Sequence, residues 1–222
     1  MAIAVRYSGQ NVAAALSVAI TLGGTPPDGD ILVACFSAFA LSTPPTLDTP
    51  AGWTAVGDGT FDGNRVVRLA VKRASSEASA IYTFTASGGG STPHMAACMF
   101  SLSGAVAGGE FVDAYSNTAY KTSDKNLRGA SITTTVQPTM LLHMGGAGAT
   151  LTATAPSGMT EYSDTNDAYL QAYSAGLRIT ATGDTGDKDA QLSANSASKH
   201  AFLIAIREVA PPHRAFIGEK VW

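Results

Sequence analysis

A turn made of Pro26, Pro27, Asp28 and Gly29 runs straight into Ile31-Leu32-Val33-Ala34-Cys35-Phe36, an unbroken apolar run too short for a helix of ordinary length. That is the pattern of a strand buried on both faces. A polar loop with Pro44, Pro45 and Pro50 then delivers Trp53 onto the next element in Gly52-Trp53-Thr54. From Asp30 to Pro138, 108 positions on, the scheme starts again with Pro138-Thr139-Met140-Leu141-Leu142-His143-Met144. Four more stretches follow in the same order. Ser157-Gly158-Met159-Thr160 matches Ala51-Gly52-Trp53-Thr54, and 168–175 matches 66–73. Likewise 190–194 matches 80–84, and 199–208 matches 94–103. A return in the same order, at offsets between 102 and 110, points to two related structural units.

Between these landmarks the period is two. Leu16, Val18, Ile20 and Leu22 alternate with small and polar residues, and Val67, Leu69 and Val71 alternate with Arg68, Ala70 and Lys72, which predicts a strand with one face in solvent. Ile81-Tyr82-Thr83-Phe84-Thr85 is rich in residues that favour a pleated surface, and His94 to Leu102 is a further apolar strand closed by Ser103-Gly104. Each half would leave an apolar sheet face in water, so the two are expected to bury theirs together. The expected fold is all-β: a single, jelly-roll-like β-sandwich in one domain, 1–209. Its pseudo-duplicated halves cover about 14–104 and 130–209, joined by a long polar connection, 105–129. A C-terminal tail, 210–222, follows a Pro-Pro stop.

Only 14% of the 222 residues are Asp, Glu, Lys or Arg, against about 25% in an average soluble domain. The net charge is −3, with Lys and Arg scattered rather than gathered in a stripe, so nucleic acid is not an expected partner. The first residues lack the charged and apolar regions of a secretory signal, and Val12 to Leu22 is too short for a membrane span. Synthesis in a cytoplasm, without export by the usual signal, is the expectation. Cys35 and Cys98 both lie in apolar runs, as core thiols or as a disulfide between neighbouring strands.

Candidate chemistry is thin. Asp184, Asp187 and Asp189 place three carboxylates on one loop, the oxygen set that calcium accepts; plain hairpin chemistry is the competing reading. His94 and His200 begin matching strands and could form a metal pair if those strands were neighbours, whereas His143 reads as a core residue. Gly145-Gly146-Ala147-Gly148 lacks the Lys of a phosphate loop, and Ser101-Leu102-Ser103-Gly104 lacks the first Gly of a nucleophile elbow; both read as turns. No catalytic residue, cofactor or firm metal site is assigned. Trp53, Tyr169 and Tyr173 would make a sugar platform only if exposed. Tyr115 and Tyr120, in the connection, are the better candidates for ligand contact. In the tail, Phe216, Ile217, Val221 and Trp222 are candidates for docking on a partner, with Trp222 as the anchor, or for folding back on the sandwich.

The Gly29 to Ala34 run, the Pro-rich loop into Gly52-Trp53-Thr54, the 65–74 strand and the Ser101-Leu102-Ser103-Gly104 closure before Phe111-Val112-Asp113 together resemble structural proteins encoded in the head and tail gene clusters of tailed bacteriophages. The likeness covers most of 14–209. It implies a non-enzymatic virion component in many copies, a capsid decoration, spike or tail protein held by contacts with itself and other virion proteins. A trimer or other closed ring would spare a β protein exposed sheet edges. The competing class is a carbohydrate-binding or receptor-binding module at a fibre or spike tip, since sandwiches host many functions.

Overall fold

In a computed structural model, residues 2–60, 62–91, 93–120 and 122–209 are described; the tail 210–222, with Phe216, Ile217, Val221 and Trp222, lies outside them. No helix occurs among the described residues. The first half carries β1 (Ala4–Ala13), β2 (Ser17–Thr21), β3 (Ile31–Phe39), β4 (Pro45–Leu47), β5 (Thr54–Thr60), β6 (Arg65–Arg73), β7 (Ile81–Gly88) and β8 (His94–Ser103). The second carries β9 (Val112–Tyr120), β10 (Asp124–Gly129), β11 (Thr133–Thr134), β12 (Thr139–Ala147), β13 (Ala153–Thr154), β14 (Thr160–Asn166), β15 (Gln171–Ile179), β16 (Gly183–Asp184), β17 (Lys188–Ser196) and β18 (Lys199–Arg207).

Two five-stranded antiparallel sheets, ordered β1-β8-β3-β6-β5 and β9-β18-β12-β15-β14, face each other. Between them Val33, Cys35, Leu69 and Phe100 meet Leu142, Met144, Phe202 and Ile204 in a central core. Each large sheet is also covered on its outer face. On one side β2-β7-β4 closes a core of Phe36, Met95 and Met99 with Ile20 and Phe84. On the other, β10-β17-β13 closes a core of Leu141, Tyr173 and Leu203 with Leu127 and Leu192. The expected single interior is therefore corrected to four layers with three cores. The cause is legible in β3, whose nine residues are all buried: a strand apolar on both faces needs a cover on each.

Three further expectations change. The connection 105–129 contains β9 and β10, and the first half begins at β1 rather than near residue 14. β1 and β9 are edge strands, whose alternate residues meet water and so read as loop. β6 does not present a solvent face: Ala70 packs in an outer core and the Arg68 guanidinium is held by Asp58 at 2.5 Å, the Leu47 carbonyl and Thr49. Gly145, Gly146 and Ala147 belong to β12 instead of a turn. A Cβ on Gly146 would overlap the Gln171 carbonyl oxygen, and one on Gly145 the His200 carbonyl, so only glycine admits the neighbouring backbones.

All four edge strands of the large sheets show a register irregularity: beside Val5 and Tyr7 in β1, Ala55 and Gly57 in β5, Glu161 and Ser163 in β14, and around Asp113 in β9. Bulges twist an edge away from a flat partner and oppose indiscriminate sheet-to-sheet pairing.

Candidate functional site

The edges of β5 and β9 lie over one another on one side of the stack and border a groove of about 720 Å³. Thr54, Ala55 and Val56 line one wall, with Val71 behind them; Gly109 to Tyr115 form the other. The Phe111 ring sits under the Arg73 guanidinium at 5.2 Å, a cation–π contact that holds the loop entering β9 against the first sheet. Tyr115 is 48% exposed on the rim.

Asp113, the extra residue of the β9 bulge, turns its carboxylate inward. It accepts from the Thr135 amide at 2.8 Å, the Thr135 hydroxyl at 2.6 Å and the Val136 amide at 3.3 Å, and lies 3.4 Å from Arg207. Burial alone would push its carboxyl up, but the Thr135 hydroxyl and the two amides outweigh it, so the group titrates below the ordinary carboxylate range. It shapes the groove and is spent in doing so. Glu110 is the exposed carboxylate of the lining.

A smaller groove, about 470 Å³, runs past Pro45, Leu47 and Thr60, with the Arg68–Asp58 pair in its lining.

The histidines part company. His94 Nδ1 lies 2.6 Å from Asp167 Oδ2, on the loop between β14 and β15, and its ring packs on Tyr169, which stacks on Phe39 at 5.1 Å. Arg65 covers Phe39, donates to the Tyr169 carbonyl at 3.1 Å and pairs with Asp62. This cluster fastens one large sheet to the other. His200 packs instead on Phe202 and beneath Gly59, where a Cβ would strike its ring. His143 is buried with Nε2 3.0 Å from the Leu127 carbonyl. Burial lowers both His143 and His200 to about 4, so both rings are neutral at pH 7.

Each carboxylate of the 184–189 loop has a protein partner. Asp184 accepts from the Thr133 hydroxyl at 2.5 Å, Asp187 from the Ser131 amide at 2.9 Å and Asp189 from Arg128 at 3.0 Å. They do not converge. Among the described residues no group of three or more His, Cys, Asp or Glu is placed to hold a metal ion.

Trp53 packs edge-on against Tyr82 and Phe84 in one outer core, and Met159, its match in the second half, is buried in the other. Tyr173 is fully buried and Tyr169 is part of the His94 cluster, so no sugar platform forms from these three. Sequence reading passed over Lys199, which is fully buried and whose Nζ pairs with the Asp124 carboxylate and donates to its backbone carbonyl at 3.0 Å. It also missed Asp30, which is buried and held by Arg6 at 2.8 Å and the Ser101 hydroxyl at 2.6 Å. A polar residue at the edge of an apolar run was the available signal in both. A scan against family models finds no match, and searches of curated proteins and of solved structures likewise return none.

Proposed function

We propose that this chain is a non-enzymatic structural component of a tailed phage or phage-like particle, a capsid decoration, spike or tail protein acting through protein–protein contacts. The observation that carries the reading is how its ionisable side chains are used. His94 with Asp167, Arg65 with the Tyr169 carbonyl, Asp30 with Arg6, and Asp113 with Arg207 all tie strands or layers together. What faces outward is a groove lined largely by small and apolar residues between two bulged sheet edges. Such a surface suits a fixed protein contact better than turnover of a substrate.

The duplicated, jelly-roll-like reading of the fold belongs to the same proposal. It is supported by the strand orders: β1-β8-β3-β6-β5 answers β9-β18-β12-β15-β14, and β2-β7-β4 answers β10-β17-β13, strand for strand in chain order. Self-association into a closed ring such as a trimer follows, with the tail residues Phe216, Ile217, Val221 and Trp222 as the docking segment on a neighbouring copy. Mass photometry of the full chain and of a 1–209 truncation tests this. The full chain is expected as a closed oligomer and the truncation as a smaller species with unchanged melting. A full chain that stays monomeric at all concentrations, or a truncation that loses thermal stability while keeping its mass, overturns it.

One observation favours the second reading, a carbohydrate- or receptor-binding module: Tyr115 stands half exposed on a rim whose wall includes Phe111. Binding on a glycan array that disappears in Tyr115→Ala would replace the first reading with this one.

A further inference from the structure

Cys35 and Cys98 are the only cysteines of the chain, and they stand directly opposite each other where β3 and β8 pair antiparallel. Residues so opposed project to the same face with Cβ atoms about 4.5–5.5 Å apart, close to the roughly 3.5–4.5 Å a disulfide spans. Both side chains enter the central core, and both are free thiols. The Cys98 Sγ lies 3.5 Å from the Tyr173 carbonyl of the facing sheet. Around them are Val33, Leu69 and Phe100.

We propose that Cys35 and Cys98 form an oxidation site, a cross-strand disulfide that a small peroxide closes inside the folded protein. Cys35 is 4% exposed and Cys98 fully buried, which makes Cys35 the first sulfur to reach and attack the peroxide. Its thiolate takes one oxygen from hydrogen peroxide to give the sulfenic acid and, with the proton released, one water. The Cys98 sulfur then displaces that hydroxyl, which leaves with the Cys98 proton as a second water. Two thiols are oxidised by two electrons, and one peroxide is reduced to two waters. The adjacent Cys98 thiol, and after it burial, push the Cys35 thiol well up, so the reaction is slow and waits on local opening of the sheets. A bulkier disulfide oxidant would first have to seat a mixed disulfide in this packed core. The inference is independent of the particle in which the chain works.

The test treats the intact, folded protein with hydrogen peroxide, removes the peroxide, then denatures and alkylates with N-ethylmaleimide before peptide mapping. The expected result is joint loss of both alkylation sites and a linked peptide pair containing Cys35 and Cys98, reversed by dithiothreitol. Cys35→Ser and Cys98→Ser, each checked for an unchanged melting transition, should leave the remaining cysteine unlinked. Three results would each overturn the proposal: both cysteines still alkylated, sulfinic acid without a link, or a link that forms only when denaturant accompanies the peroxide.

Discussion

His143 and His200 are neutral in the folded protein because burial lowers them from 6.5 to about 4, whereas in the unfolded chain they return to the ordinary value. Between pH 6.5 and 4 the unfolded chain therefore binds more protons than the folded one, and stability falls as pH falls through that window. The loss is at most about 3.5 kcal/mol per ring, at about 1.4 kcal/mol for each pH unit. Chemical denaturation at pH 7 and pH 5 should show it. His143→Leu should remove about half of the difference, the rest being His200's, and an unchanged slope would rule out a neutral buried His143. The carboxylates held low, Asp62, Asp113 and Glu208, act in a lower window: their stabilisation is present above the unfolded carboxylate range and is lost as pH falls further. At the same scale, Gly59→Ala drives a methyl into the His200 ring and should cost about 1–3 kcal/mol, read as a lower denaturation midpoint.

Among the elements, β3, β7 and β8 were legible because their residues repeat the demands of their surroundings. β7 alternates with Tyr82, Phe84 and Ala86 inward, and β3 and β8 are buried throughout. β9 and β10 were not legible, since an edge strand and a cover strand carry half their residues to water and resemble loop. Gly145-Gly146 was read as a turn for a related reason: glycine marks both turns and close backbone approach, and only the neighbouring strands tell which. Gly146→Ala should cost more than Gly59→Ala, because the Gln171 carbonyl it meets is backbone of a paired strand and has nowhere to go; loss of soluble protein is the expected readout. The loop between β14 and β15 is tied down by Asp167, which accepts from His94 and from the amides of Tyr169 and Leu170. Asp167→Ala should destabilise by about 1–3 kcal/mol and raise hydrogen exchange in that loop before it changes the outer sheets.

For the whole molecule, the central core binds the fate of the two halves together. Phe202 is fully buried there beside residues of both large sheets, so Phe202→Ala should cost about 3–5 kcal/mol. It should do so within one transition, with calorimetric and van't Hoff enthalpies in agreement. Two separated transitions would mean that each half stands on its own outer core. Judged by ladder partners, the correspondences read from the sequence are off by one residue for β3 with β12 and for β8 with β18, and by three for β6 with β15. Placing Ile31 on Thr139 sets Cys35, which faces the central core, on His143, which turns toward Leu127 and an outer strand. Keeping both face and ladder partner sets Ile31 with Met140 and Leu102 with Ile206, since Ile31 pairs with Leu102 and Met140 with Ile206. With a side-chain period of two, a slip of one exchanges every face.

By itself the sequence determined what is local: strands instead of helices, the turns that end them, and the residues too apolar to meet water. Which core each face joins, which edges border a groove, that His94 meets Asp167 and that two cysteines stand in register were decided only by tertiary structure. Those pairings join residues far apart in the chain, and nothing in a local period of two says which sheet will cover which face.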